Sequence, residues 1–171
     1  MNEKVEIRPA TTNDIETIER LAREIWPATY SDILTPEQLN YMLDYFYNPA
    51  ALESQMTRLN HHFIMSLLGD RPVGFASWSR INDQGIYKLH KLYVHNSMQG
   101  KGIGRKMVEY ILEKLQGDGA AELRLNVNRY NKARFFYEKI GFTIIGEEDV
   151  DLGNGVYQED YVMQRPVMLP A

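Results

Sequence analysis

A short stretch with three glycines constrains this chain more than any other feature of its sequence. Gly100, Gly102 and Gly104 stand between a strand-like segment, Lys88–Val94, and a segment of helical periodicity. Glycine permits tight turns in which main-chain N–H groups converge, and the start of the helix adds its positive end. A purely structural turn would need one such glycine. Basic side chains lie in the same stretch, namely Lys101, Arg105 and Lys106. The stretch therefore predicts a site for an anionic, phosphorylated ligand.

Two common phosphate-binding motifs do not fit this spacing. The dinucleotide fingerprint G-x-G-x-x-G, started at Gly100, requires a glycine where Arg105 stands. A P-loop requires a lysine and a hydroxyl residue directly after its last glycine, whereas Arg105 and Lys106 follow Gly104. The spacing thus excludes a dinucleotide-binding oxidoreductase and a P-loop enzyme.

Strand and helix patterns alternate along the whole chain. Apolar residues at helical spacing predict a first helix from Ile15, preceded by a capping box at Thr11–Asp14 and ended by Pro27. Further helices are predicted over about 36–46, 49–59 and 132–140, and directly after the glycines. Period-two segments predict strands over 5–8, 63–68, 73–81, 86–94, 123–127, 142–146 and 156–163. This order predicts a mixed α/β sheet.

Length and composition are those of an ordinary globular protein. The 171 residues, 44% of them hydrophobic, predict a single domain over 1–171. A net charge of −4 argues against nucleic acid as a partner, and no apolar segment is long enough for a membrane. Because the N-terminus carries no apolar targeting segment, we expect a cytoplasmic protein. The absence of cysteine excludes thiolate metal sites, and we expect no metal.

Two segments in the second half of the chain resemble the GCN5-related N-acetyltransferase (GNAT) family. Gln99, Gly102 and Gly104 are similar to its motif for the pyrophosphate of acyl-coenzyme A, and Leu92–Val94 is similar to the strand end before that motif. The segment Asn131–Phe142 resembles its second motif in residue types and order. The resemblance implies a mostly antiparallel sheet of about seven strands flanked by helices on both faces. Trp26, Tyr30 and the Tyr41–Tyr47 region look like its polyamine (spermidine/spermine) branch.

The resemblance also implies how acetyl-CoA binds as the cosubstrate. The pantetheine arm would pair with the main chain of Leu92, Tyr93 and Val94. Asn131 would contact the cofactor, although its side chain is equally suited to cap the helix that follows. The pyrophosphate would lie over the loop, that is over Gln99, Gly100, Lys101, Gly102, Ile103, Gly104 and Arg105.

By the same resemblance, Tyr137 is the acid that protonates the departing coenzyme A thiolate. Its position on an apolar stripe with Ala133, Phe136 and Ile140 equally suits a core residue.

The proton acceptor for the amine is less clearly marked, because the strand stretch where the family often places a carboxylate contains no Glu here. His90 lies in that stretch, and histidine has an intrinsic pKa suited to accepting a proton near neutrality. A structural histidine is the alternative, and Glu24 and Asp32 are weaker candidates for the base.

These observations predict an N-acetyltransferase that moves the acetyl group of acetyl-CoA to a primary amine by direct attack in a ternary complex. Without cysteine, the commonest covalent acyl carrier is missing. A small polyamine is the favoured acceptor. The alternatives are acetylation of a protein N-terminus or lysine, and a non-catalytic acyl-CoA-binding module. The partner is thus a small-molecule or peptide amine, and the sequence leaves a homodimer open.

Overall fold

A computed structural model describes residues 4–168, which form seven strands and five α-helices. A short 3-10 helix, Thr12–Asp14, leads into the first α-helix, and a second, Asn96–Met98, follows the fourth strand. The helices are α1 (Ile15–Tyr30), α2 (Pro36–Tyr47), α3 (Pro49–Thr57), α4 (Ile103–Gly117) and α5 (Ala133–Lys139). The strands are β1 (Val5–Ala10), β2 (His62–Leu68), β3 (Arg71–Arg80), β4 (Ile86–Val94), β5 (Glu122–Asn128), β6 (Thr143–Asp151) and β7 (Tyr157–Pro166).

The strands belong to one sheet with the order β1-β2-β3-β4-β5-β7-β6. The pairs β1/β2, β2/β3, β5/β7 and β6/β7 are antiparallel, and β4/β5 is parallel. The predicted mixed, mostly antiparallel sheet of seven strands with flanking helices is therefore confirmed. None of the helices within residues 4–168 is long and apolar enough to cross a membrane.

By its internal packing the chain divides into two compact units. The first contains the residues up to 79 together with 91–111, and the second contains 80–90 together with the residues from 112 onward. The single domain over 1–171 stays a prediction.

In the first unit, helix α1 is longer than the sequence predicts. The capping box at Thr11 forms as expected, with the main-chain N–H of Thr11 donating to Asp14 Oδ2 at 2.8 Å. The expectation that Pro27 ends the helix is wrong, because α1 continues to Tyr30. Pro27 lies on the exposed face of α1, while Trp26 and Tyr30 are buried with their ring centroids 4.7 Å apart. Aromatic packing beyond the proline thus outweighs the backbone hydrogen bond that proline lacks.

In the second unit, the last hairpin is longer than the predicted segments 142–146 and 156–163. Strand β6 extends to Asp151 and pairs with β7 along its whole length. The acidic run Glu147–Asp149 therefore lies within the strand rather than beyond it. Most side chains of β6 are exposed, and β6 is the edge of the sheet. Charged side chains on an edge strand cost no burial and prevent pairing with other chains, so the run does not end the strand.

Candidate active site

The glycine loop (Gln99–Arg105) lies in the first unit and connects the end of β4 to α4. Gly100 and Gly102 have φ angles of +80° and +78°, which favour glycine over any other residue. A Cβ atom placed on either residue would meet no atom within 4 Å, so the loop is open on that side. The first N–H groups of α4, which begins at Ile103, have no partner within the helix. The loop therefore offers main-chain donors to an anion without obstruction.

The side chain of Gln99 connects the start of this loop to the end of β4 and the 3-10 helix. Its Nε2 donates to the main-chain oxygen of Val94 at 3.3 Å and to Asn96 Oδ1 at 3.2 Å. Arg105 pairs with Glu109, one turn along α4, at 3.2 Å. The Gln99 and Arg105 side chains thus have partners within the protein, and the main chain of the loop at Gly100 and Gly102 stays open.

The end of strand β4, just before the loop, packs against aromatic side chains of the first unit. The hydroxyl groups of Tyr93 and Tyr30 are 3.0 Å apart, and the Tyr93 ring packs on Trp26 with 5.7 Å between centroids. At Gly74 of β3, an added Cβ would lie 2.8 Å from the main-chain oxygen of Tyr93. The main chain of Leu92–Val94, predicted to pair with pantetheine, is therefore closely packed at Tyr93.

One buried cation lies in this aromatic region and was not anticipated from the sequence. Lys91 is 7% exposed, and its Nζ lies 5.3–5.9 Å from the ring centroids of Phe46, Tyr47 and Phe63. Burial lowers the pKa of Lys91 to about 7. A lysine in an alternating strand normally indicates a solvated face, so no sequence signal marks this one.

Glu24, a weaker candidate for the base, faces a histidine of the same unit. Its Oε2 lies 3.4 Å from His95 Nε2, and His95 Nδ1 lies 2.8 Å from the hydroxyl of Ser97. His95 also accepts the main-chain N–H of Ser97 and so caps the 3-10 helix after β4. This contact places the Glu24 carboxylate beside the 3-10 helix that precedes the glycine loop. Asp32 is exposed beyond α1.

The second unit contains Tyr137, Asn131 and His90. Tyr137 is 8% exposed, and its ring packs at 5.2 Å on Phe136 and at 5.6 Å on Phe142. Asn131 Oδ1 accepts the main-chain N–H of Ala133 at 2.9 Å, so the predicted capping interaction is present. The structure therefore shows the packing role of Tyr137 and the capping role of Asn131, and their chemical roles stay predictions.

His90 belongs to a polar face of the sheet in the second unit. Lys88 and His90 are on one side of β4 by alternation, and Lys88 is opposite Arg124 on the neighbouring strand. The same side carries Asn126 and Asn128 of β5 and Asp160 of β7, with Asn128 opposite Asp160. One face of the sheet in the second unit therefore carries the polar side chains of Lys88, His90, Asn126, Asn128 and Asp160.

Within residues 4–168, no group of three or more His, Asp or Glu side chains could hold a metal ion.

Comparison with known proteins decides which family these features belong to. The model of the family described as acetyltransferase (GNAT) domain matches residues 30–158. The chain belongs to the GNAT family. The family, the acetyltransferase activity and acetyl-CoA as cosubstrate are thereby confirmed as predicted.

Several GNAT relatives are similar to this chain. A spermidine N(1)-acetyltransferase of Thermoplasma acidophilum is 28% identical over 162 residues, which are 92% of this chain and 98% of that protein. The peptidyl-lysine N-acetyltransferase YjaB of Escherichia coli is 36% identical over 83 residues, 48% of this chain and 49% of that protein. The crystal structure of PaiA N-acetyltransferase from Thermoplasma acidophilum in complex with coenzyme A has a TM-score of 0.81 at 27% identity, covering 95% of this chain and 99% of that one.

The GNAT cosubstrate carries an anionic pyrophosphate, and the glycine loop fits such a group. The loop has positive φ angles, open space above two glycines and the start of a 15-residue helix. These are the features by which main-chain N–H groups bind phosphates. Three buried charged residues of this GNAT protein were not predicted from the sequence, Lys91, Asp160 and Arg165, because strand patterns do not reveal which charged side chains become buried.

Proposed function

We propose that this GNAT acetyltransferase transfers the acetyl group of acetyl-CoA to a primary amine of a small polyamine. One observation carries the choice of acceptor. Similarity to the spermidine N(1)-acetyltransferase covers 92% of this chain, whereas similarity to the peptidyl-lysine enzyme covers 48%.

The proposed reaction is direct attack in a ternary complex. Acetyl-CoA supplies the acetyl group as a thioester. The amine must lose its proton before its nitrogen can form the bond to the carbonyl carbon, and His90 accepts that proton at a ring nitrogen. As the carbon–sulfur bond breaks, the thiolate takes the phenolic proton of Tyr137.

The main chain of the glycine loop supports this function from the first unit. Its N–H groups bind the pyrophosphate, and the main chain of Leu92–Val94 orients the pantetheine arm. Neither task requires a particular side chain, which agrees with the internal hydrogen bonds of Gln99 and Arg105.

A thiol-release assay with acetyl-CoA tests the proposal across polyamines, amino acids, aminoglycosides and peptides. The chain contains no cysteine, so it adds no thiol background. We expect spermidine or spermine to give the highest kcat/KM, and mass spectrometry to show one added acetyl group on the amine. A higher kcat/KM for a peptide would favour the second candidate, acetylation of a protein N-terminus or lysine. Binding of acetyl-CoA without turnover of any amine would favour a non-catalytic module.

A further inference from the structure

Asp160 is the one acidic side chain of residues 4–168 that is buried. It lies on β7 with 5% of its surface exposed, whereas the carboxylates of the neighbouring strand β6 are exposed. In register it lies opposite Asn128 of β5 on one side and Glu148 of β6 on the other. Burial of a carboxylate is costly unless hydrogen bonds and an opposite charge compensate for it.

One amide group accounts for the hydrogen bonds of this carboxylate. Asn126 Nδ2 donates to Asp160 Oδ2 at 3.3 Å and to Glu148 Oε2 at 3.1 Å. An amide nitrogen has two hydrogens, so both are used by the two carboxylates. Asp160 Oδ1 accepts no hydrogen bond from the described residues. The fully buried polar atoms without a hydrogen bond belong to other residues, so Oδ1 is not fully buried. This oxygen is therefore reached by solvent.

The nearby cations do not pair with this carboxylate. Arg129 Nη1 donates to the main-chain oxygen of Asp160 at 3.3 Å, but its ion pairs are with Asp149 at 2.9 Å and Glu147 at 3.9 Å. Lys88 attracts the Asp160 charge from a greater distance. Within the described part of the chain, no basic nitrogen lies within 4.0 Å of the Asp160 carboxylate.

Burial raises the pKa of Asp160 to about 6, and the charge of Glu148 adds to the rise. The Asn126 hydrogen bond and the charges of Lys88 and Arg129 act in the opposite direction. The carboxylate is therefore ionised above about pH 6 despite its burial, and it carries a charge that the chain itself leaves without an ion pair.

We propose that Asp160, together with Glu148 and Asn126, binds an ammonium group of the acceptor amine. An ammonium has three N–H donors, which suits oxygens of two carboxylates that a single amide already holds together. The inference rests on the proposed function only in taking the acceptor to be an amine. It assigns Asp160 to substrate specificity, because an acceptor with a second positive charge gains from this contact and a neutral one does not.

A purely structural role for Asp160 leads to a different expectation. In that case the Asp160, Asn126 and Glu148 side chains would only connect the β6–β7 hairpin to β5. Asp160→Asn preserves size and hydrogen bonding, so it removes the charge with little effect on such a connection. The variant thus separates binding of a cation from support of the fold.

The test measures spermidine binding to the coenzyme A-loaded protein by titration calorimetry, and the KM values of spermidine and acetyl-CoA. For Asp160→Asn we expect the Kd and KM of spermidine to rise at least about 10-fold, with the KM of acetyl-CoA and the melting temperature nearly unchanged. The matched control is Asp118→Asn, which removes the same charge from an exposed position in the turn after α4. There we expect less than about a 3-fold change, because exposed charges interact weakly.

The pH dependence provides a second readout. Spermidine affinity of the wild type should fall as the pH is lowered through about 6, where Asp160 takes up its proton, and Asp160→Asn should lose this dependence. If Asp160→Asn does not fold, Glu148→Gln serves in its place with a smaller expected loss of affinity.

Unchanged spermidine affinity and pH dependence in the folded variants would overturn the inference, whatever the rate of acetyl transfer. If the wild type neither binds nor acetylates spermidine but acetylates a peptide amine, the polyamine proposal fails separately. The same variants then decide the inference through the KM of that peptide.

Discussion

The glycine loop offers main-chain N–H groups, whereas the residues proposed to act in the second unit, His90, Tyr137 and Asp160, would act through single side chains. The loop has open space around Gly100 and Gly102, and the Gln99 side chain connects its start to Val94. Asp160, by contrast, depends on one amide group for its hydrogen bonds. This difference predicts which kinds of substitution should impair ligand binding or catalysis in each region. The loop should tolerate changes of side chain but not of backbone geometry, and the second unit should respond to the loss of a single atom.

The largest effect is expected from Tyr137→Phe, which removes one oxygen and keeps the ring that packs on Phe136 and Phe142. If the phenol protonates the thiolate, single-turnover acetyl transfer should slow by about 10- to 1000-fold with acetyl-CoA affinity nearly intact. Thermal unfolding should be almost unchanged, since the packing is preserved. Transfer at the wild-type rate would contradict the acid role of Tyr137 and leave it only a packing role.

His90→Gln should have the next largest effect. Glutamine keeps a polar side chain but cannot accept a proton at neutral pH, so kcat should fall by about 100-fold. The acidic limb of the pH profile of kcat should change, while the Kd of acetyl-CoA should stay the same. A full-rate variant with the wild-type pH profile would assign proton acceptance to another group and leave His90 a structural residue.

Gly102→Val tests the other side of the comparison. Valine at a φ angle of +78° is strained, so the main-chain N–H groups should leave their arrangement and coenzyme A should bind at least about 10-fold more weakly. Lys101→Ala is the matched control, with a loss of only about 3-fold expected for one exposed charge. Equal losses in the two variants, measured by calorimetry, would show that side-chain charge rather than the main chain holds the ligand.

Lys91→Met should leave acetyl transfer unchanged at pH 8 and alter only stability. The pKa of Lys91 is lowered to about 7, while an unfolded chain keeps a lysine pKa near 10.5, so the unfolded state binds more protons between these values. The wild-type free energy of unfolding therefore rises with pH from about 7 to 10.5. The charge penalty, fully present below pH 7, is up to about 5 kcal/mol, and the three aromatic rings offset part of it.

Denaturant unfolding at several pH values tests this expectation. Lys91→Met should be more stable than the wild type near pH 7 and should show a flatter pH dependence. Parallel curves for the two proteins would mean that Lys91 keeps an ordinary pKa inside its aromatic surroundings.

Most of the fold could be predicted because strand and helix periodicity is local. The capping box at Thr11 and the turn glycines mark their elements directly. The end of α1 could not be predicted, since Tyr30 is buried by contacts with distant residues such as Tyr93. The length of β6 was missed for a related reason, because its pairing with β7 extends through side chains that are exposed.

For the candidate site, the sequence likewise predicts the local features and misses those that depend on distant residues. The glycine loop can be predicted from residue types alone, because a short segment of sequence determines its backbone geometry and the start of α4. The burial of Asp160 and Lys91 depends on three strands or three rings assembled from different parts of the chain. No local pattern contains that information, so the most informative charges appeared only with the structure.

The hydrogen bonds of the Gln99 side chain also bear on the entropic cost and the rate of ligand binding. Since Gln99 already connects the start of the loop to Val94 and Asn96, this end of the loop has less conformational freedom to lose when a ligand binds. A ligand that meets a preorganised loop does not wait for a conformational step, so its association rate is set by encounter and orientation. Differences in affinity among acyl-CoA ligands should then arise from their residence times on the protein.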